Sequence, residues 1–367
     1  MDIGFVVYDG LSGTSGGYRY DRKLVSYLRA QGDTVRLISL PHRSYSRCLA
    51  DGWSRSVRRQ LNQPVDVLLQ DELCHPSLWG QNRHLTEPET VVSLVHLVRS
   101  ADPTATQTGV GKRLTSTVER RYLRSVDGIV ATSRHTERQA RALAPTVDST
   151  VAYPGGRREQ VATEPAVTTD PERPLRVLFV GTFEPRKGVD ILLDSLSTLE
   201  GNWRATLVGT HDANPRYAKR MRTRAQRLGE RVSVHGQLTD AELTSMFTWA
   251  DVLAVPSRYE GFGMVYLEAM EHGVVPIAST AGGAGEFVVD GTNGLLVPPD
   301  TAALQAAFER IESDRQYLDT LARGALATAN AHPNWEASLA TVRAFLRSQH
   351  THSESSQSHG MHSELPQ

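Results

Sequence analysis

The chain has 367 residues, of which 39% are hydrophobic and 22% are charged. This length is about two to three times that of a typical domain, so we expect two domains, each with its own core. The 40 basic and 41 acidic residues nearly balance, which argues against a nucleic-acid-binding protein. No apolar run approaches the roughly 20 residues needed to span a bilayer, and two cysteines are too few for a disulfide framework.

The N-terminus, MDIGFVVYDG, is predicted to be a buried strand, because it carries Asp2 where a signal peptide carries basic residues. Together with the low cysteine count, this predicts a cytoplasmic protein. The charge is unevenly distributed. Residues 1–165 carry 22 basic and 17 acidic residues, a net charge of +5, whereas the remainder carries 18 and 24, a net charge of −6. The N-terminal half is therefore the half suited to an anionic partner.

Short apolar, β-branched runs alternate with amphipathic stretches, a rhythm typical of βαβ units and parallel sheets. A first series of strands is predicted near residues 3–8, 34–40, 65–70, 90–96, 128–132 and 150–153. A second series is predicted near residues 175–181, 204–209, 232–235, 252–255, 274–278 and 295–297. Helices of the second half are predicted at residues 188–199, 215–228, 240–249, 264–271 and 301–313. The repeated rhythm predicts an α/β protein with two parallel sheets.

The stretch between Gly156 and Pro174 is rich in proline and polar residues and shows no period, as is typical of a linker. We therefore expect an N-terminal domain at residues 1–160, a linker at 161–173 and a C-terminal domain at 174–333. A helix is predicted at 334–347, because one of its faces is apolar; this face carries Leu339, Val342, Phe345 and Leu346. The Ser/His-rich residues 348–367 predict a disordered tail, and weak metal binding by its histidines is the less favoured alternative.

Several motifs of other enzyme classes are missing. No two aspartates have the D-x-D spacing that holds a divalent metal against a diphosphate, and there is no C-x-x-C or H-E-x-x-H. GVGK at residues 109–112 lacks the remaining residues of a P-loop. GLSGTSGG at residues 10–17 is not the dinucleotide fingerprint G-x-G-x-x-G. It predicts a flexible loop whose backbone amides precede a helix, a place that favours anions.

The second half opens with LRVLFVGTFEPRKGVDILLDSL. A strand is predicted to end at Gly181, and a short loop with Arg186 and Lys187 leads to a helix at Gly188. Two cations at the carboxyl end of a strand suit a diphosphate. The alternative is an ordinary solvated basic turn.

The segment VPSRYEGFGMVYLEAM follows another predicted strand and places Glu260 and Glu268 with seven residues between them. The glycines at 261 and 263 allow backbone amides to approach a ligand, and the start of the helix favours its anionic part. Glu268, inside the helix, can accept hydrogen bonds from a ribose diol, and Glu260 can reach a sugar hydroxyl. The alternative is that both are surface glutamates.

With these two motifs the chain resembles the GT-B glycosyltransferases of family 4, which are retaining enzymes that use nucleotide sugars. The resemblance covers nearly the whole chain before the predicted tail. It implies two Rossmann-like domains whose parallel sheets face a central cleft, with the C-terminal helix packing back on the N-terminal domain. Lys187 matches the lysine of the family. Thr182 stands where many members have an arginine, and Arg186 is the candidate to supply the missing charge.

The resemblance also implies roles for individual residues. His96, Glu260 and Lys187 are the expected catalytic residues. The donor is expected to contact Gly16, Gly17, Arg186, Lys187, Glu260, Gly261, Phe262, Gly263, Met264 and Glu268. No metal and no cofactor is expected, because the cations and the helix amides stabilise the leaving diphosphate.

The implied reaction moves a hexose of the mannose or glucose type from a GDP- or UDP-sugar to a hydroxyl of a glycan or lipid-linked acceptor, with retention. Same-face attack is favoured over double displacement, for which Glu260 is the visible nucleophile. The loops at residues 208–214 and 237–239 are expected to read the base. The alternatives are a GT-B epimerase, a sugar phosphorylase and a non-catalytic GT-B binding protein. A dinucleotide oxidoreductase is disfavoured because its fingerprint is missing.

A second surface is predicted at residues 42–63. If Asp51 or Gly52 caps a helix, then Trp53, Val57 and Leu61 lie on one face and Arg55, Arg58 and Arg59 lie on the others. This pattern is typical of an interfacial helix, and it suggests peripheral contact with the inner face of the cell membrane. An ordinary helix that covers a sheet is the favoured alternative.

Overall fold

The computed structural model describes residues 1–105, 109–157, 161–165, 167, 170 and 172–361. The chain forms two compact units. Unit 1 comprises Met1–Ala101, Ala105–Pro154 and the segment from Pro333 onward, and unit 2 comprises Asp102–Thr104 and Gly155–His332. Part of the predicted linker, at residues 166, 168, 169 and 171, lies outside the described residues.

Unit 1 is built on a parallel sheet of six strands in the order β2-β1-β3-β4-β5-β6. The strands are β1 (Asp2–Tyr8), β2 (Thr34–Leu40), β3 (Val67–Asp71), β4 (Thr90–Val95), β5 (Gly128–Ala131) and β6 (Asp148–Val151). The helices before residue 154 are α1 (Gly16–Ala30), α2 (Tyr45–Leu49), α3 (Arg55–Leu61), α4 (His75–Leu78), α5 (Gly109–Leu123) and α6 (Arg134–Leu143). Strands β3 and β4 are buried at every residue, because a parallel sheet is covered on both faces.

Unit 2 is built on a second parallel sheet of six strands, in the order β12-β11-β10-β7-β8-β9. The strands are β7 (Leu175–Val180), β8 (Trp203–Val208), β9 (Val232–His235), β10 (Val252–Val255), β11 (Val275–Ser279) and β12 (Leu295–Val297). The helices are α7 (Val189–Thr198), α8 (Pro215–Arg227), α9 (Asp240–Trp249), α10 (Met264–Met270), α11 (Thr301–Ser313) and α12 (Arg315–Ala331). The predicted α/β class with two Rossmann-like units is confirmed.

Each sheet has a point at which the strand order reverses, and ligands of open α/β sheets bind at the carboxyl ends of the strands beside such a point. In unit 1 this point lies between β1 and β3, because the chain adds β2 on one side and β3 on the other. In unit 2 it lies between β7 and β10. The loops that follow these four strands are therefore the places where the fold itself predicts binding.

The last helix, α13 (Trp335–Met361), packs on the sheet of unit 1. Leu339, Val342 and Leu346 are buried in the same core as β1 and β3, so the predicted packing of this helix on the N-terminal domain is confirmed. The helix does not end at residue 347, where the sequence predicted a disordered tail to begin. Gln349 is buried, and this contact with the core carries the helix past the predicted end. Residues 362–367 lie outside the described residues.

The helix that was predicted to follow a cap at Asp51 or Gly52 begins later than expected. The cap of α3 is Ser54, whose hydroxyl accepts a hydrogen bond from the backbone N–H of Val57. Val57 and Leu61 are buried in the core of unit 1, so α3 covers the sheet. Trp53 lies in the turn before the helix and is 65% exposed. The favoured alternative, an ordinary helix that covers the sheet, is therefore confirmed, and only Trp53 lies outside the predicted apolar face.

Among the described residues, no helix combines the length and the apolar character that crossing a membrane requires.

Candidate active site

The loop after β7 is pressed against the loop after β10 in unit 2. Gly188 has φ +70°, and a Cβ there would lie 2.1 Å from the carbonyl oxygen of Pro256, so only glycine fits. The preceding turn, Pro185–Lys187, carries Arg186 and Lys187. The backbone N–H of Arg258 also donates to the carbonyl oxygen of Arg186, at 2.7 Å. The two loops at the reversal point therefore form one structure.

Arg258 is the side chain that joins these loops. Its guanidinium forms a bidentate pair with Asp190, at 2.9 and 2.7 Å, and donates to the carbonyl oxygen of Pro185 at 2.6 Å. The Tyr217 hydroxyl donates to the same carboxylate at 2.6 Å. These hydrogen bonds outweigh the effect of burial and lower the pKa of Asp190. A bidentate ion pair fixes orientation as well as distance, so Arg258 holds the turn that presents Arg186 and Lys187.

Glu260 lies among these cations. Its carboxylate is 2.5 Å from Lys187 Nζ and 3.9 Å from the Arg186 guanidinium, and it accepts a hydrogen bond from the Ser257 hydroxyl at 3.3 Å. Burial alone would raise the pKa of Glu260, but the charges of Lys187 and Arg186 outweigh it and lower the pKa. The structure thus brings together three predicted residues, Arg186, Lys187 and Glu260.

Glycines shape the remainder of the Glu260 segment. Gly263 has φ +92° and is the N-cap of α10, where such a backbone conformation favours glycine. Of its neighbours, Gly261 is buried, Met264 is half-buried and Phe262 stacks on Phe287 with ring centroids 4.8 Å apart. The Phe262 side chain is 4% exposed, so it packs the loop in place. Its predicted contact with the donor can involve only its backbone or a small part of its ring.

Glu268 lies on α10 and is 5% exposed. Its carboxylate is 3.3 Å from Arg157 Nε, a residue that the sequence analysis did not single out. Burial raises the pKa of Glu268 to about 7 even though Arg157 opposes this shift. Glu260 and Glu268 are therefore different: Glu260 stays ionised, and Glu268 titrates near neutrality.

In unit 1, α1 begins at Gly16, and His96, just after β4, packs on Gly17. A Cβ added to Gly17 would lie 3.2 Å from the imidazole Cδ2. His96 Nε2 is 2.9 Å from Asp21 Oδ1, and the side-chain exposures are 19% and 0%. The edge of the Tyr20 ring faces the imidazole at 5.3 Å between centroids. The predicted residues Gly16, Gly17 and His96 are thus brought together at the carboxyl edge of the sheet.

Two carboxylates beside His96 were missed by the sequence analysis. Ligand atoms of Asp21, Asp71 and His96 lie within 4.8 Å of one another. Burial lowers the pKa of His96, but Asp21 and Asp71 outweigh this effect and raise it to about 9. Burial and the charge of Asp21 raise the pKa of Asp71 to about 7. Asp21 stands four residues after Gly17, on the same side of α1, and this spacing was the available signal.

A second buried cluster lies beside the first. It contains Glu72, His75 and Glu119, and Glu119 accepts from the backbone N–H groups of Arg99 and Ser100 at 2.7 and 2.9 Å. Burial raises the pKa of both Glu72 and Glu119 to about 7. Both clusters, and a third formed by Asp66, Glu89 and His350, have the spacing that a metal site needs. Among the described residues, no such set includes Glu260 or Glu268.

The comparisons with known proteins agree with this arrangement. The model of the family "Glycosyl transferases group 1" matches residues 160–327, the part of the chain that contains Arg186, Lys187, Glu260 and Glu268. A phosphatidyl-myo-inositol mannosyltransferase of Mycobacterium tuberculosis is 37% identical over 142 residues, which cover 37% of this chain and 36% of that protein. The chain spans between about a third and two fifths of the length of three curated relatives that it matches.

Solved structures match over more of the chain. Sucrose-phosphate synthase of Thermosynechococcus elongatus has a TM-score of 0.80 at 22% identity, covering 95% of this chain and 98% of that one. The HepE protein of Anabaena in complex with UDP-glucose has a TM-score of 0.73 at 20% identity, covering 95% and 100%. At these identities the likeness shows the fold. The chain therefore has the GT-B fold of these glycosyltransferases, and its residues 160–327 match the group 1 glycosyl transferase family.

Proposed function

We propose that the protein is a glycosyltransferase that moves a hexose from a nucleoside diphosphate sugar to an acceptor hydroxyl. The observation that carries this proposal is the cluster of Arg186, Lys187 and Glu260 at the reversal point between β7 and β10. Two cations braced by Arg258 at this edge suit the diphosphate of a nucleotide sugar. The match of residues 160–327 to the glycosyl transferase family supports the same reading.

In this proposal Lys187 and Arg186 stabilise the negative charge that develops on the leaving diphosphate. Charged donors that are already in place cost no reorganisation at the moment of reaction. Glu260 holds Lys187 in position and accepts a hydrogen bond from a sugar hydroxyl. Glu268, in its ionised form, accepts hydrogen bonds from the ribose diol. The amide groups of the glycine-bounded loop at residues 261–263 lie beside the anionic part of the donor.

Unit 1 supplies His96 in this proposal. Asp21 binds Nε2 of the imidazole, which leaves Nδ1–H to donate to a substrate oxygen. Because Asp21 and Asp71 raise the pKa of His96 to about 9, the imidazole is protonated at neutral pH and donates a charged hydrogen bond. Asp21 acts here through His96 and is a positioning residue.

We further propose retention of configuration by same-face attack, without a metal or cofactor. In this proposal Lys187 and Arg186 neutralise the diphosphate in place of a metal. A double displacement would require Glu260 as nucleophile, but Lys187 is paired with that carboxylate and lowers its nucleophilicity. The donor sugar is of the glucose or mannose type and the base is uracil or guanine. The acceptor is a glycan or a lipid-linked glycan, and the protein acts in the cytoplasm or at the inner face of the membrane.

Thermal shift with UDP, GDP, ADP, dTDP and NAD, in EDTA and then in magnesium, tests the donor class. A ligand at 100 times its dissociation constant adds about 2.7 kcal/mol of stability. We expect one diphosphate to raise the melting temperature in EDTA, in wild type and in the Lys219→Ala control on exposed α8, but much less in Lys187→Ala. A shift that magnesium alone allows contradicts the metal-free proposal. No shift with any diphosphate, together with a shift in inorganic phosphate, favours the phosphorylase.

A further inference from the structure

The outer face of helix α5 in unit 1 carries apolar residues that do not pack in the core. Its inner side, with Val118, Tyr122 and Leu123, is buried. Its outer side carries seven exposed residues at helical spacing, the last of them directly after the helix: Val110, Arg113, Leu114, Thr117, Arg120, Arg121 and Arg124. Val110 and Leu114 are 80% and 50% exposed. The face is thus both basic and apolar.

Two tryptophans continue this face. The Arg121 guanidinium lies over the Trp79 ring, 4.9 Å from its centroid, and Trp79 meets Trp53 edge-on at 4.7 Å between centroids. Trp79 Nε1 donates to the carbonyl oxygen of Leu49 at 3.0 Å. A Cβ at Gly52 would lie 2.3 Å from the same Nε1, so glycine permits this packing. Trp53 is therefore held in place while it remains 65% exposed. The outer side of α5 and these two tryptophans are called the basic–aromatic face below.

The centre of the basic–aromatic face is concave. Trp79 and four arginines, together with Thr117 and Ser125, line a cavity of ≈ 540 Å³; the arginines are Arg83, Arg120, Arg121 and Arg124. Guanidinium groups bind phosphate oxygens in pairs of hydrogen bonds. The cavity is therefore suited to a phosphate group attached to a larger molecule.

The surface around this cavity carries basic residues without acidic partners. Three segments form it: residues 50–61, 79–84 and 109–125. Their exposed basic residues are Arg55, Arg59, Arg83, Lys112, Arg113, Arg120, Arg121 and Arg124. Their two acidic residues, Asp51 and Glu119, are buried. Within the described part of the chain, none of the eight exposed basic residues forms an ion pair with a carboxylate. Such a one-sided charge distribution attracts an extended anionic partner.

We propose that the basic–aromatic face docks the protein on a membrane surface that contains anionic phospholipids. Arginines bind the lipid phosphates, and Trp53, Val110 and Leu114 enter the boundary between headgroups and acyl chains. The exposed apolar residues favour a lipid surface over a nucleic acid, because a polyanion without acyl chains offers them nothing to enter. The proposal concerns α5, since Val57 and Leu61 of α3 are buried, and it does not depend on the glycosyltransferase activity.

Co-sedimentation of the full chain with phosphatidylcholine vesicles, with and without phosphatidylglycerol, tests this proposal. We expect phosphatidylglycerol to increase binding about tenfold or more, since each basic residue near an anionic surface strengthens attraction. Replacing Arg113, Arg120, Arg121 and Arg124 with Gln should remove most of this increase. The variant Val110→Ser with Leu114→Ser keeps every charge, and it should weaken binding by about threefold to tenfold because less apolar surface is buried.

The matched control removes four charges from α8 of unit 2, by Arg216→Gln, Arg220→Gln, Arg222→Gln and Arg227→Gln. These arginines are exposed, but none of the exposed large apolar residues lies on α8. The control should bind vesicles as wild type does, and every variant should stay folded and keep its diphosphate-induced thermal shift. The proposal is overturned if phosphatidylglycerol does not increase wild-type binding or if the α8 control loses as much binding as the α5 variant. Equal binding of the Val110/Leu114 variant, with tight binding of duplex DNA, indicates a nucleic-acid surface instead.

Discussion

The buried carboxylates at the carboxyl edges of the two sheets differ in the direction of their pKa shifts. In unit 2, Lys187 and Arg186 outweigh burial, so that the pKa of Glu260 falls. In unit 1, burial dominates around several carboxylates, and the pKa values of Asp71, Glu72 and Glu119 rise to about 7. The edge of unit 2 is thus a set of fixed charges that suits an anion. The edge of unit 1 is a set of protonatable groups that keeps one imidazole cationic.

The largest expected effect comes from removing the fixed charge of unit 2. Lys187→Ala should lower kcat/KM for sugar transfer by about 100-fold to 1,000-fold, the usual loss for one preorganised donor at a developing charge. Lys219 is an exposed residue of α8. The control is Lys219→Ala, which should leave the rate unchanged. Steady-state kinetics with the donor identified by thermal shift makes the measurement. A Lys187→Ala enzyme with less than a threefold loss would remove Lys187 from the mechanism.

Asp21→Asn tests whether Asp21 keeps the His96 imidazole of unit 1 protonated. It should lower the pKa of His96 from about 9 and move the alkaline fall in activity to lower pH, because the donating imidazolium is lost earlier. At pH 8 the rate should drop more than tenfold if the pKa falls by two units or more. NMR titration of the His96 imidazole gives the pKa without any activity.

Ionisation of His96 should also change the stability of the fold with pH. The pKa of folded His96 lies above its unfolded value, so its ion pair with Asp21 stabilises the protein fully below about pH 6.5, and this contribution is lost as the pH rises through about 9. Asp21→Asn should abolish that part of the pH dependence of the melting temperature. An unchanged imidazole pKa in Asp21→Asn would contradict the positioning role of Asp21.

The sequence predicted the site of unit 2 better than that of unit 1, and the reason is local. Arg186, Lys187 and Gly188 are neighbours, and Glu260 and Glu268 lie in one loop and helix, so motifs contain them. Asp21 and His96 are 75 residues apart, so no motif contains both, and the spacing of Asp21 from Gly17 was the one signal available. All twelve predicted strands are present, and continuous apolar runs mark the buried ones, such as β4 and β10. Helix α12 was not predicted, although its buried residues recur at helical spacing.

Glu268→Gln probes a carboxylate of unit 2 whose pKa is raised by burial, like those of Asp71, Glu72 and Glu119 in unit 1. Donor affinity in wild type should increase between pH 6 and pH 8, because Glu268 ionises near pH 7 and the carboxylate accepts the ribose hydrogen bonds more strongly. The Gln variant should bind the diphosphate about tenfold more weakly at pH 8, as is usual for hydrogen bonds to a charged group. Its affinity should not vary over this range, which isothermal titration can establish.

As the pH rises, ionisation of Glu268 should change the stability of the fold in the opposite direction to the donor affinity. Burial raises the pKa of folded Glu268 above its unfolded value, so its stabilising effect is present at acid pH and is lost as the pH rises through about 7. At pH 8 the unliganded Gln variant should therefore melt no lower than wild type. A Gln variant that melts well below wild type at pH 8 would show that the ion pair with Arg157 matters more than burial.

The smallest expected effect comes from replacing Arg258, whose ion pair with Asp190 holds the turn that carries Arg186 and Lys187. Arg258→Lys keeps the positive charge but cannot form the bidentate pair with Asp190. Because the turn with Arg186 and Lys187 then has more freedom, we expect KM for the donor to rise about threefold to tenfold while kcat changes less, since positioning depends on such clamps. Arg216→Lys, an exposed residue on α8, is the matched control. If the two variants have the same KM, Gly188 and the backbone alone hold the turn. The positions of Arg186 and Lys187 then do not depend on the Arg258 side chain.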